Sequence, residues 1–126
     1  MPHNRPNILL IQADQLKPQV LSSYGGPAVT PYLDQLADQG VVFENAYCNF
    51  PLCAPSRFSM LSGMLPSRIG AFDNGAEYLA QIPTVAHYLR LAGYRTCLSG
   101  KPHFVGPDML HGFHERLVPE LYPTDF

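Results

Sequence analysis

The chain has 126 residues, 46% of them hydrophobic, which is enough for one ordinary domain with an apolar core. Eight Lys and Arg against ten Asp and Glu give a formal net charge of -2, and no basic run is present, which excludes the electrostatic footprint of a nucleic-acid binder. The longest aliphatic run, Ile8 to Ile11, is too short to span a bilayer, and the polar start Met1, Pro2, His3, Asn4, Arg5 has no signal-peptide apolar region. Three cysteines leave one over from any disulfide framework, so the expectation is a reducing, cytoplasmic location, with Cys48 and Cys97 as buried thiols.

In chain order, Asn7 to Ile11 is an apolar run of the kind found in a strand covered on both faces, which places Asp14 at a strand's carboxyl end. Thr30 then acts as a cap and Pro31 as a first-turn proline. Leu33, Leu36 and Ala37 recur at helical spacing before Gly40 stops the helix. Val41, Val42 and Phe43 begin a second strand. Pro55 suits the first turn of a helix that follows Cys53, and a turn-rich segment runs from Pro66 to Gly75. Pro83 and Thr84 open another helix, with Val85, Leu89 and Ala92 on one face and Gly93 at its end; Tyr94 to Leu98 is a third strand. Strands alternating with helices predict an α/β fold, a largely parallel central sheet sandwiched by helices, with its site at the carboxyl ends of the strands. From Lys101 to Phe126 the chain is loop-like, without a closing strand or helix, and 13 prolines, about twice the usual frequency, suit the loops of an active-site face. The expectation is an incomplete domain whose sheet continues elsewhere.

Two segments carry chemistry. At the first, residue 53 precedes free backbone N–H groups and the positive end of a helix dipole, where an anion is favoured, and Arg57 adds a permanent cation. At the second, a strand ends in the Ser99-Gly100 turn and delivers Lys101 and His103 to the sheet's carboxyl edge, one cationic group and one able to transfer protons. Cys53-Ala54-Pro55-Ser56-Arg57, followed by Leu61, Ser62 and Gly63, matches C-x-P-S-R-x-x-x-L-x-S-G, and Gly93 to Lys101 with His103 matches G-Y-x-T-x-x-x-G-K and its K-x-H extension. In both, the chain resembles the sulfatase family, of alkaline-phosphatase-like fold. The resemblance implies that residues 1–126 are the N-terminal portion of a sulfatase catalytic domain.

It further implies that Cys53 is oxidised to formylglycine, the nucleophile. Lys101 then contacts nucleophile and sulfate, and His103 is the base for sulfate release. Asp14, together with residue 53, ligates a divalent cation, usually Ca2+, with Mg2+ or Mn2+ as alternatives. Many sulfatases carry two adjacent aspartates there, whereas this sequence has Asp14 and Gln15, and at least two further ligands must come from outside the chain.

Leu65-Pro66-Ser67-Arg68, Asp73 to Glu77, Ile82 to Arg90, His103 to Asp108 and Tyr122-Pro123-Thr124-Asp125-Phe126 look most like the choline-sulfatase branch, in which Asn74 is a sulfate contact. The implied reaction is hydrolysis of choline O-sulfate to choline and sulfate, with the leaving-group acid outside this chain. An aryl sulfatase or phosphonate monoester hydrolase shares the nucleophile and fold. Of a different class is an inactive fragment, or one piece of a split protein with half a site. Implied partners are a small-molecule sulfate ester, a formylglycine-generating enzyme during maturation, the remaining part of the catalytic domain and a second copy in a homo-oligomer; neither nucleic acid nor membrane is expected. Glu77 stays open between a cation partner and a solvated charge. His87 reads as structural, and the roles of His111 and His114 stay open.

Overall fold

The computed structural model describes residues 5–120; the first four residues and the closing Tyr122-Pro123-Thr124-Asp125-Phe126 match lie outside the described residues. The chain divides into two compact units, Met1–Ala46 and Tyr47–Phe126.

In the first unit, two 3-10 turns (Pro18–Val20 and Ser22–Tyr24) precede helix α1 (Pro31–Gln39), which starts at the expected proline and stops at Gly40. The Thr30 side chain does not cap it. Instead Ser22 Oγ donates to the Asp34 carboxylate at 2.6 and 2.7 Å and shares a 2.5 Å bond with Thr30 Oγ1, placing a carboxylate in the first turn, where the dipole favours it. The two strands expected at residues 7–11 and 41–43 are not strands among the described residues. The physical reason is pairing. A strand exists through a neighbour's N–H and C=O groups, no described segment offers them here, and Ile8 to Ile11 are 62–83% exposed.

The second unit holds the core. Helix α2 (Cys53–Ser62) buries Ala54, Phe58 and Leu61 against Ile69 of α3 (Pro66–Ile69), Ala71, Tyr78 and Phe104. Tyr78 meets the Phe58 ring edge-on at 4.7 Å and the His111 ring at 4.6 Å. Truncating a residue such as Phe58 in such a cluster costs about 3–5 kcal/mol. The last residues of the first motif close the helix: Ser62 Oγ donates to the Phe58 carbonyl at 2.7 Å, and Gly63 adopts the left-handed conformation (φ 70°).

Helix α4 (Val85–Leu91) begins after Thr84, as expected, and its first turn explains two histidines. The Thr84 N–H donates to His87 Nδ1 at 3.0 Å, and the Thr84 hydroxyl donates to the His111 carbonyl at 2.6 Å. Gly112, at φ 90°, passes so close that a Cβ would stand 2.5 Å from His87 Nδ1. Gly112→Ala is therefore expected to lower stability by roughly 2–4 kcal/mol through strain and displacement of the helix cap; an unchanged urea midpoint would contradict this.

Of the strand expected at Tyr94 to Leu98, only β1 (Cys97–Leu98) pairs, because the Thr96 N–H is taken by a side chain, His114 Nδ1 at 3.1 Å. Its parallel partner β2 (Glu115–Arg116), in the register Cys97↔Glu115 and Leu98↔Arg116, corrects the expectation of loop alone after Lys101. That segment is also packed, with Pro102, His103, Phe104, His111 and Gly112 buried. Cys48 and Cys97, expected inside, are exposed free thiols. Cys48 lies on the loop before α2 with its Sγ directed to the Phe50 carbonyl (3.5 Å), and no described element covers the side of β1 that carries Cys97. No helix among the described residues is long and apolar enough to cross a membrane.

Candidate active site

Cys53 is the first residue of α2 and half-buried. Leu52 before it is extended and Pro55 stands in the first turn, so the chain turns into the helix at residue 53 with its side chain beside the leading N–H groups. One of these is already used: the Ala54 N–H donates to Asn74 Oδ1 at 3.0 Å. Lys101 Nζ lies 3.9 Å from Cys53 Sγ, across 48 positions of sequence.

Two clamps hold this arrangement. Arg57, buried at 8% exposure, donates through Nη1 to the Lys101 carbonyl and so ties α2 to the loop after β1. Asn74 is the second: besides capping α2 with its side chain, its main-chain carbonyl accepts from His103 Nε2 at 3.1 Å. Of the six residues singled out in the sequence, Cys53, Arg57 and Lys101 are thus joined by direct contacts, Asn74 and His103 form a second pair, and the two sets meet where Asn74 holds the Ala54 N–H next to Cys53. Arg57 acts on the Lys101 backbone through Nη1, a contact the sequence did not announce. Asn74 is fixed through its carbonyl oxygen, which leaves Nδ2 as its donor end.

His103 is 4% exposed and has φ 64°, a left-handed backbone uncommon outside glycine. Such a conformation costs about 1–3 kcal/mol and persists where its surroundings impose it. A carbonyl can only accept, so the bond to Asn74 puts the proton on Nε2 and the basic lone pair on Nδ1. Burial, with the Lys101 and Arg57 charges adding to it, pushes the imidazole below its ordinary 6.5, against the Asn74 bond and Glu120. His103 is neutral near pH 7 and able to take a proton.

His111, fully buried between Tyr78 and Phe104, is also pushed below 6.5, by burial first and against Asp108. The two histidines fold neutral, while in the unfolded chain they take up protons around 6.5. Their contribution to stability is complete above 6.5 and is lost as pH falls through that value toward their lower folded values. The urea midpoint is expected to drop between neutrality and about pH 5, less steeply in His111→Phe. An equal slope in that variant would exclude His111 as a contributor.

Asp14 belongs to the first unit, in a turn followed by Gln15 at φ 56°. A calcium ion takes about six to eight oxygen donors, and among the described residues no group of three His, Cys, Asp or Glu converges to hold a metal. The chain alone therefore does not fit a complete cation site, and the chemistry of its residues is derived without one. Sequence reasoning missed Glu120 and Arg116. Glu120 Oε2 accepts from Arg116 Nη2 at 2.8 Å and from the Phe104 N–H at 3.2 Å, and both side chains are nearly buried. In sequence they look like any exposed pair four residues apart.

A half-buried residue at a helix start, faced by a lysine and clamped through Arg57 and Asn74 to the loop that carries a neutral histidine, is an arrangement suited to holding an anion. The family model described as Sulfatase matches residues 6–113, and the chain belongs to the sulfatase family, with its α/β, alkaline-phosphatase-like fold. It is 53% identical to the choline-sulfatase of Rhizobium meliloti (strain 1021), over 100% of this chain and 25% of that protein. With the arylsulfatase A of Bos taurus it shares 43% identity, over 89% of this chain and 25% of the relative. A solved 2-O GAG sulfatase superposes on 94% of this chain and 27% of its own, with a TM-score of 0.77 and 32% identity. The chain spans about a quarter of the length of the curated relatives it matches.

Proposed function

We propose that the protein containing these residues hydrolyses sulfate esters, with choline O-sulfate as substrate, from a formylglycine at position 53. The observation that carries this is Lys101 Nζ at 3.9 Å from Cys53 Sγ, on a helix start clamped by Asn74 and Arg57. The sulfur occupies the place of the aldehyde carbon's substituents, and the site fits that group, being half-buried and beside a cation. When hydrated, the aldehyde supplies one hydroxyl to attack sulfur and a second whose deprotonation expels sulfate.

The residues of this chain hold charge and move one proton. Lys101 balances the negative charge that gathers near residue 53, Asn74 Nδ2 donates to a sulfate oxygen, and Arg57 keeps Lys101 in place. His103 accepts the proton at Nδ1, the nitrogen left basic by the Asn74 bond. Asp14 would supply one oxygen to a divalent cation, calcium or else magnesium or manganese, and residue 53 another, with at least two further donors from outside these residues; metal analysis of Asp14→Asn tests this, and full metal content in that variant would refute it. Three free thiols support a cytoplasmic location.

The substrate is supported by the 53% identity to a choline-sulfatase, and the 43% identity to an arylsulfatase A favours a second reading as an aryl sulfatase. Comparing kcat/KM of the full-length protein on choline O-sulfate, an aryl sulfate and a phosphonate monoester separates them. Choline O-sulfate is expected to lead by at least about fivefold, since the missing cation contact alone is worth about 1 kcal/mol or more. Preference for either of the others would overturn the choice of substrate.

A further inference from the structure

We propose that Glu120, gripped by Arg116, is a positioning residue for His103: its carboxylate holds the Phe104 N–H and thereby fixes the left-handed backbone that aims the imidazole. Geometry carries the argument. Residue 104 is fastened on two sides, its ring against His111 at 4.3 Å and Tyr78 at 5.9 Å, its N–H on Glu120 Oε2 at 3.2 Å. His103, immediately before it, has no freedom to relax φ 64° toward an ordinary value unless that grip is released.

The carboxylate is held in turn. Arg116 Nη2 meets Glu120 Oε2 at 2.8 Å, with side-chain exposures of 9% and 5%. A buried pair of this kind gains little net stability over apolar packing, so stability alone is a weak reason for its presence. Arg116 leaves β2 directly opposite Leu98 of β1, three positions before Lys101, so the pair links the ladder to the site. The charges that act on the His103 ring are Lys101 and Arg57, which disfavour its protonation, and Glu120, which favours it. Glu120 is therefore placed both to hold the ring and to temper its two cationic neighbours.

The inference rests on His103 as the base of the proposed hydrolysis, and its test has a readout independent of turnover: the titration of the His103 imidazole by NMR in the full-length protein, alongside the pH profile of kcat. Glu120→Gln keeps an acceptor for the Phe104 N–H but removes the charge. The His103 midpoint is expected to move to lower pH and the acid limb of kcat to move with it. Glu120→Ala also releases the backbone, and kcat is expected to fall about 10- to 100-fold with KM within about twofold; Glu120→Asp is expected to recover part of that loss. If Glu120→Gln does not fold, Glu120→Gln with Arg116→Gln retains an uncharged pair and the same shift is expected. A His103 midpoint identical to the wild type in these variants would overturn the proposal. A shifted midpoint with an unmoved acid limb would uphold the link from Glu120 to His103 and instead overturn His103 as the base.

Discussion

Cys53→Ala is expected to lower sulfate-ester turnover by roughly ten-thousandfold or more, the scale of losing a covalent nucleophile, while Cys53→Ser releases about one equivalent of alcohol per site and then stalls. The two outcomes differ for a chemical reason. A single serine hydroxyl can displace the alcohol from sulfur, but it has no second hydroxyl on the same carbon to collapse and expel sulfate. Neither change strains the helix: residue 53 is its first residue, is half-buried and lies outside the Phe58 and Leu61 cluster that anchors α2. Circular dichroism should therefore be unchanged. Turnover within tenfold of wild type in Cys53→Ala, or steady turnover in Cys53→Ser, would remove residue 53 from the centre of the mechanism.

Lys101→Met carries the second large effect, a fall in kcat of about 100- to 1000-fold, comparable to the loss of one preorganised donor from an oxyanion site. Methionine keeps most of the length of the side chain and removes its charge. The clamp from Arg57 goes to the Lys101 main-chain carbonyl, so it survives the substitution, and the backbone is expected to stay where it is. The loss should fall on kcat more than on KM, because Lys101 faces the point where charge gathers in the transition state. Lys101→Arg is a poor rescue, since a planar fork does not reproduce a compact ammonium 3.9 Å from residue 53. A KM-only effect would reassign Lys101 to ground-state binding.

The sequence carried the site further than the fold. Both motifs place their chemistry by local rules: Pro55 starts a helix at Cys53, Ser62 and Gly63 end it, and Gly93 ends α4 three residues before the buried Thr96. Those rules hold whatever the rest of the molecule does, so the helix starts at Pro31 and Val85 stand where they were expected, and α2 takes in Cys53 itself, which was expected just ahead of it. Strands obey no such rule. Ile8 to Ile11 have the composition of a covered strand, but composition does not supply a partner, and the neighbours of a parallel strand come from distant sequence. For the same reason Glu115 and Arg116 gave no sign of pairing: two residues are too few for a periodicity, and only the register opposite Cys97 and Leu98 makes them a strand.

Roles were less legible than positions. Arg57 was expected to add a cation to an anion pocket, and its bond through Nη1 to the Lys101 carbonyl was not foreseen, because only the fold brings the loop after β1 to a helix residue four positions on from Cys53. Asn74 makes two contacts through two different oxygens, one of them main-chain, and no side-chain motif announces a carbonyl. Glu120 was missed for a related reason, since its grip is on a backbone N–H and its burial follows from packing.

The central claim is that residue 53 becomes a carbonyl carbon facing Lys101, and peptide mass spectrometry across Cys53 of the protein from its native host tests it most directly. The account predicts the mass of the aldehyde or its hydrate at that position, and trapping of the aldehyde by a hydrazide reagent. An active preparation in which residue 53 is quantitatively an unmodified thiol would contradict it.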